Sequence, residues 1–506
     1  MSGASAHWEA YRRWAALAAT APEQAEAGLR RLLSSAPGDA RLVALCRNDI
    51  GALLAARSDT AGAQSEFTAA LRADPACEAA QTNLAALGSR TRSPRKLALI
   101  SLLFTWPVGG GGVYDTAAVG RGLIAAGYDV KHFSVTYPPA GIGQREGEPP
   151  LPTVPLAFAP GELTAEALRE RLRRAVEAFS PDIVLISDSW NTKVVLLEAL
   201  EEWPCFLRFH AAELLCPLTN IRFLLNEGRP AQCRFNFLAT PDRCASCLAQ
   251  NRSRSGGLHA WERALAGAEE PDFHARACAA LGRAAGAAVN NPLVAALYSA
   301  FVPNTQVIPS GTDCARLFTR EPGDPGRKTI LMSGVVEEPM KGFAVLHEAA
   351  ERLWAKRQDF RVVVTGREVQ GPLNAYLESV GWRPQESLPE LYAAADVCVV
   401  PSLCEEACGI VAIEAMAAGR PVVASRAGGL QFSVVDGLTG YLFAPGDAGE
   451  LAERLETLLD DAARRKQMGA AARARAQQFD WHRLVTERYL PWLAGGLSGG
   501  LPHRVH

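Results

Sequence analysis

The sequence predicts an α/β protein of two doubly wound parallel-sheet domains, preceded by an all-α segment. Three observations carry that reading. Short β-branched runs alternate with helix-length stretches from Lys96 onward, and the alternation restarts at Thr329. Residues 6–88 are instead Ala-rich and helical throughout. Between Ala394 and Asp447, the stretch AADVCVVPSLCEEACGIVAIEAMAAGRPVVASRAGGLQFSVVDGLTGYLFAPGD joins a short buried strand, 396–400, to an apolar helical block, 409–418. Glu414 is the only charge in that block. A lone carboxylate there is costly to desolvate unless it meets a donor or hydroxyls at the helix edge.

At 506 residues the chain has room for about three domains. Its 48% hydrophobic content is ordinary for a globular protein, and a net charge of −2 argues against a general nucleic-acid surface. No apolar run approaches the length of a membrane span. The start, MSGASAHWEAYRRW, lacks the apolar core of a signal peptide. Both observations predict a cytoplasmic protein without a transmembrane segment. In such a reducing compartment the 12 cysteines read as buried thiols or metal ligands rather than disulfides.

Taken in order, the helical segment 1–88 repeats at an offset of 38: Ala25, Leu29, Leu32 and Pro37 recur as Ala63, Phe67, Ala70 and Pro75. Gly51, Ala63, Phe67, Ala70 and Pro75 stand where a tetratricopeptide repeat carries its packing residues, and 83–85 look like the start of another. The resemblance is to one good repeat flanked by two degraded ones. It implies either a concave face for a protein partner or acceptor, or a helical cap that packs or dimerises. Residues 89–95, SRTRSPR, read as a linker.

Residues 96–310 form the first α/β domain. Strand 96–104 leads through Gly109, Gly110, Gly111 and Gly112 into a helix at 114–126, which places backbone amides where an anion or sugar can approach closely. Strands at 130–135, 182–187 and 205–209 alternate with helices at 164–179 and 192–203. Parallel winding puts ligands at the carboxyl ends of strands, and His210 stands at one, just after Arg208. The insert 213–251 breaks the winding with loop-like polar sequence holding Cys216, Cys233, Cys244 and Cys247. Four thiolates with one Cys-x-x-Cys pair suit a structural zinc; free buried thiols or a redox pair are the alternatives. Helical sequence at 257–281, a strand at 287–290, a helix at 292–301 and residues 305–309 complete the domain.

The second α/β domain, 311–480, opens with strand 329–333 and a loop ending at Lys341, followed by helix 343–356, strand 361–366 and Arg367. A short helix at 387–394 precedes the strand and helix described above. Helices follow at 448–478, and a terminal helix at 481–493.

Glu406-x7-Glu414, with Gly409 between and AMAAGRPVVAS after, resembles the signature of retaining GT-B glycosyltransferases, family 4 in particular. Residues 308–313, IPSGTD, are similar to that family's interdomain hinge. The resemblance implies two Rossmann-like domains and sugar transfer from a nucleotide diphosphate donor, UDP- or GDP-linked, with retention and no catalytic metal. Glu406 would contact the donor sugar, Glu414 the ribose, and Lys341 with the helix start at Gly409 and Ile410 the diphosphate. A carboxylate only accepts hydrogen bonds and so suits paired hydroxyls. Gly110, Gly111 and Gly112 would border the diphosphate and acceptor, His210 the sugar or acceptor, and Arg383, in 380–383, the base. Some family members are similar to the Cys216-Pro217…Cys244-x-x-Cys247 pattern.

Two departures stand out. The family's Gly-Arg is here Gly334-Val335, so a bidentate phosphate donor is missing; Arg367 or Arg208 would compensate. The usual His-Asp is here His210-Ala211. The terminal helix would cross back to the first domain. The acceptor, whether glycan, lipid, small molecule or protein, is not readable, and peripheral membrane contact stays open. Competing readings are a scaffold that binds nucleotide sugar without turnover, and a glycoside hydrolase using the Glu pair.

Overall fold

The computed structural model describes residues 3–18, 20–35, 38–57, 59–90, 95–107, 110–226, 229–251, 257–317, 326–366 and 375–498. The chain divides into two compact units, Met1–Arg95 and Lys96–His506.

The first unit holds helices Gly3–Ala15, Pro22–Ser34, Ala40–Ala56, Thr60–Ala73 and Glu78–Arg90, each packed on the next. Asp39 and Asp59 start two of them by accepting from free amides of the first turn. Ala25, Leu29, Ala63, Phe67 and Ala70 are buried. Gly51 meets the Phe67 ring so closely that a Cβ would lie 2.6 Å from it. The repeat's Pro37 and residues 91–94 of the expected linker lie outside the described residues.

The second unit contains two parallel sheets. The first comprises β1 (Lys96–Ser101), β2 (Asp129–Thr136), β3 (Thr153–Ala157), β4 (Ile183–Ile186) and β5 (Cys205–Arg208). After an antiparallel hairpin, β6 (Phe223–Asn226) and β7 (Arg229–Gln232), it gains β8 (Gly286–Val289) and β9 (Thr305–Val307). Its order is β3-β2-β1-β4-β5-β8-β9. The second sheet takes β10 (Lys328–Met332), β11 (Phe360–Val364), β12 (Leu377–Ser379), β13 (Val397–Val400), β14 (Val422–Ser425) and β15 (Gly440–Phe443), in the order β12-β11-β10-β13-β14-β15. Each order reverses beside its first strand, at β1/β4 and β10/β13, and such switch points open crevices at the strands' carboxyl ends. Both sheets are parallel throughout, and their central strands are nearly all buried, which explains the β-branched runs.

Two chain crossings join the halves. At the first, Thr312 N donates to Phe479 O (2.9 Å) and Thr312 O accepts from Trp481 N (3.2 Å), so the hinge and the returning chain are tied together. A Cβ on Gly311 would lie 2.5 Å from Phe479 O, so only glycine fits there. From Trp481 the chain packs on the first sheet: Trp492 meets Phe206 edge-on at 4.8 Å and its Nε1 donates to Asn304 O at 3.2 Å.

The structure alters several expected elements. The loop-like insert contains the β6/β7 hairpin and a helix, Pro241–Asn251. The helical stretch 257–281 is two helices, Gly257–Ala266 and Phe273–Arg283. The helix after β1 starts three residues earlier than expected, with Gly111 and Gly112 already inside helix Gly111–Ala125. β3 and β15 are strands that the sequence reading leaves out. Among the described residues no helix is long and apolar enough to cross a membrane.

Candidate active site

A cleft of ≈540 Å³ lies between the two halves. Helix Gly111–Ala125 begins on its first-domain wall, and helix Ile410–Ala417 on its second-domain wall. A Cβ on Gly111 would lie 3.4 Å from Ile410 Cδ1, so the two helix N-termini face each other closely. Each offers amides without intrahelical partners, and together they make a site for a multiply charged anion. Gly409 caps the second helix at φ +75, where a Cβ would overlap Leu430. That combination restricts the position to glycine.

Glu406 reaches the cleft from the loop after β13. Its Oε1 accepts from Lys341 Nζ at 2.8 Å and from Ser402 Oγ at 2.7 Å. Burial alone would push the Glu406 carboxyl up, but the Lys341 ammonium and the Ser402 hydroxyl hold it below the usual range. Lys341 comes from the 3₁₀ turn Pro339–Lys341 and is raised above its ordinary value, the Glu406 charge outweighing its burial.

Glu414 sits one helical turn inside its helix, 2% exposed, and lines the cleft. Its Oε2 accepts from Tyr392 Oη at 2.9 Å. Its Oε1 is buried with no hydrogen-bond partner among the described residues. Burial raises the carboxyl, opposed by Tyr392, Gln385 and the Arg316 charge. Such an unsatisfied buried oxygen is expensive unless a ligand hydroxyl completes it.

On the opposite wall, His210 Nε2 pairs with Ser187 Oγ at 3.0 Å, and its Nδ1 lies 3.7 Å from Asp115 Oδ1. Burial, aided by Arg208 and Lys193 and opposed by Asp115, lowers His210 to about 3, so it is neutral at pH 7. Its backbone N–H donates to Glu213 Oε1 at 2.8 Å, and Glu213 is ion-paired with the fully buried Lys193 at 2.5 Å. Asp188 lies behind Gly112, where a Cβ would come 2.9 Å from Asp188 Oδ1. Its carboxyl is raised to about 7 by burial and the nearby Glu213.

Of the expected site residues, the structure gathers Glu406, Glu414, Lys341, His210, Gly110, Gly111, Gly112, Gly409, Ile410 and Arg383 around this one cleft. Arg208 is a correction. It is 1% exposed and spent on Asp115 (2.6 Å), Asn290 (2.9 Å), Ser310 (3.0 Å) and Ile308 O (2.5 Å), so it braces the hinge and has no free face for a phosphate. Arg367 lies outside the described residues. Val335 is 38% exposed on the cleft wall, where a guanidinium is expected from the resemblance. The cleft's own arginines include Arg121, Arg316 and Arg383. Sequence reasoning misses Tyr392, Ser402 and Arg316; only Ser402, in the same loop as Glu406, carries a local signal.

Cys216, Cys233, Cys244 and Cys247 line a separate cavity of ≈30 Å³, walled by Leu215, Leu218 and Phe235. That is room for one ion or water. Burial raises Cys216 to about 11, with Cys233 and Cys244 adding to it. Among the described residues, no three His, Cys, Asp or Glu side chains are placed to hold a metal ion. The cavity therefore collects the right ligand types without a closed coordination shell.

Paired parallel sheets with a cleft at their switch points and facing helix N-termini define a GT-B architecture. Residues 327–461 match the family model described as Glycosyl transferases group 1. The D-inositol 3-phosphate glycosyltransferase of Pseudarthrobacter chlorophenolicus is 38% identical over 210 residues, covering 37% of this chain and 49% of that protein. The phosphatidyl-myo-inositol mannosyltransferase of Mycolicibacterium smegmatis is 35% identical over 185 residues, 34% of this chain and 48% of the relative. The chain thus spans about half the length, or less, of the curated relatives it matches. Among solved structures, sucrose-phosphate synthase from Thermosynechococcus elongatus superposes with a TM-score of 0.57 at 23% identity, covering 80% of this chain and 100% of the other. Anabaena HepE, solved with UDP and glucose, gives 0.55 at 17% identity over 80% and 100%.

Proposed function

We propose that this chain is a retaining glycosyltransferase that moves a hexosyl-type unit from a UDP- or GDP-linked donor to an acceptor hydroxyl. The observation that carries the reading is Glu414: a buried carboxylate on the cleft wall with one oxygen unpaired, eight positions from Glu406 and beside two opposed helix N-termini. Ribose hydroxyls complete Glu414, sugar hydroxyls meet Glu406, and the diphosphate lies between the helix starts with Lys341. The names of the relatives support glycosyl transfer, and the UDP held by HepE supports the donor class.

In the reaction the bond between the sugar C1 and the β-phosphate oxygen breaks, and a bond from the acceptor oxygen to C1 forms on the same face. The acceptor proton passes to the departing phosphate. Negative charge grows on the diphosphate as the bond breaks, so Lys341 and the helix amides stabilise the transition state more than the ground state. His210, neutral and tied to Ser187, orients hydroxyls rather than supplying a proton. Closure of the two halves would exclude water.

The test is a thermal-shift screen of UDP, GDP, ADP and their sugars on wild type and Glu414→Ala. One diphosphate is expected to stabilise the wild type by about 2.7 kcal/mol at a hundredfold excess over Kd, and the variant to lose that gain. No shift with any of them contradicts the reading. NMR of the product's anomeric proton tests retention. The exposed Val335 favours one alternative, a scaffold that binds without turnover; binding with no transfer to any acceptor would establish it.

We also propose that the cysteine cavity takes a structural zinc that draws its four thiols together. Their shared cavity supports this. Protein purified without chelator is expected to carry one zinc per chain, and Cys244→Ser with Cys247→Ser to carry none. Metal-free wild type with the fold intact contradicts it.

A further inference from the structure

Resting on the donor-site reading above, we infer that the cysteine-rich insert is a strut on the loop that carries Glu406, with Arg222 as a positioning residue for that carboxylate. The contacts cross from the first half to the second. Arg222 Nη2 donates to Glu405 Oε2 at 3.0 Å, and Glu405 N donates to Gln232 Oε1 at 3.0 Å. Arg222 immediately precedes β6 and Gln232 is the last residue of β7, so both stand at the open end of the hairpin. They are also bound to each other, because Gln232 Nε2 donates to Ile221 O (3.1 Å) and Arg222 O (3.2 Å). One edge of the insert therefore grips both the side chain and the backbone of Glu405.

Arg222 is built for this contact rather than for solvent. Its side chain is 7% exposed, its Nη1 donates to Phe235 O at 3.3 Å, and its backbone adopts φ +53, a left-handed conformation that non-glycine residues rarely hold. A buried guanidinium needs an anion, and among the described residues its ion pair is with Glu405 of the other half. Glu405 itself is 47% exposed, so the pair serves Arg222's placement more than Glu405's burial.

The neighbouring residue is Glu406. Its backbone is held from the second domain, where Gly429 N donates to Glu406 O at 2.5 Å, and its side chain by Lys341 and Ser402. From the first domain come Arg222 and Gln232, and also Asn291, whose Nδ2 donates to Ala407 O at 2.7 Å. The loop is thus fixed from both sides of the cleft. Engagement of the insert sets where the sugar-contacting carboxylate stands once the halves meet, and its release frees the loop.

Hydrogen exchange of residues 402–409, measured in the ligand-free protein, tests the strut without any donor. Glu405→Gln, a half-exposed change that leaves Arg222 its hydrogen-bond acceptor but not its charge partner, and Arg222→Ala are both expected to raise exchange there by about tenfold while β10 and β13 stay protected. The double variant Arg222→Glu with Glu405→Arg is expected to recover protection relative to Arg222→Glu alone. On the active enzyme, Arg222→Ala lowers kcat and leaves nucleoside diphosphate affinity unchanged. Unchanged exchange at 402–409 in Glu405→Gln and Arg222→Ala, or no recovery in the swap, overturns the inference. Failure of the wild type to bind any nucleotide sugar overturns the donor-site reading instead, and leaves the exchange result standing as a readout of the strut itself.

Discussion

Glu406 and Lys341 hold each other at 2.8 Å, so the two proposed donor contacts are engaged with one another in an ion pair. The Glu406 carboxyl lies below its ordinary 4.5, so its contribution to stability is present above pH 4.5 and lost as pH falls through the folded value. Lys341 lies above its ordinary 10.5, so its contribution is complete below pH 10.5 and lost as pH rises beyond it. Glu406→Gln is therefore expected to cost about 1 kcal/mol at pH 7, a modest figure because the pair is partly open to solvent. The gap between variant and wild type should shrink in melts below pH 4.5; a constant gap would show that the charge pair is not its source. The acidic pair and Lys341 are readable in the sequence because spacing, a helix start and a strand end all agree on them. Tyr392 is not, since a tyrosine in an apolar helix looks like core until Glu414 is seen beneath its hydroxyl. Arg208 misleads for a physical reason: a phosphate clamp and a buried hinge brace use the same residue type, and only its burial against Asp115 separates them.

Helix Ile410–Ala417 depends on the left-handed Gly409 before it. Gly409→Ala is expected to destabilise by more than the roughly 1–2 kcal/mol that a left-handed backbone costs an L-residue, because its Cβ also meets Leu430. Gly437→Ala provides the control: it has the same φ of +75 with nothing within 4 Å, so denaturant melts should show the smaller loss there. Equal losses would mean that Leu430 moves aside freely. Among the elements, the strands at switch points are legible because burial on both faces leaves continuous β-branched runs. β3 is not, for Pro152 and Pro155 argue against a strand, yet it lies at the sheet edge where a missing N–H is tolerated. The insert is misread as loop because its hairpin strands are only four residues long and one carries Pro230, and its partner surface is supplied by residues far away in sequence.

At the scale of the molecule, the second unit is two sheets joined by two adjacent crossings, with Arg208 tying the first helix, the end of β8 and the hinge together behind the cleft. Chain order and alternation make that architecture legible; which cleft cations replace the arginine absent at Val335 is a matter of folded geometry, and no spacing encodes it. In the helical unit, the residues aligned by the 38-residue offset include Phe67, which packs on Gly51. The most direct test of the donor cleft is a structure with the nucleoside diphosphate that gives the largest thermal shift. The ribose hydroxyls are expected within hydrogen-bond distance of Glu414 Oε1, with the diphosphate between Gly110–Gly112 and the start of helix Ile410–Ala417, and Lys341 turned from Glu406 toward it. A nucleotide bound elsewhere, or in the cleft with Glu414 Oε1 still unpaired, would contradict the account.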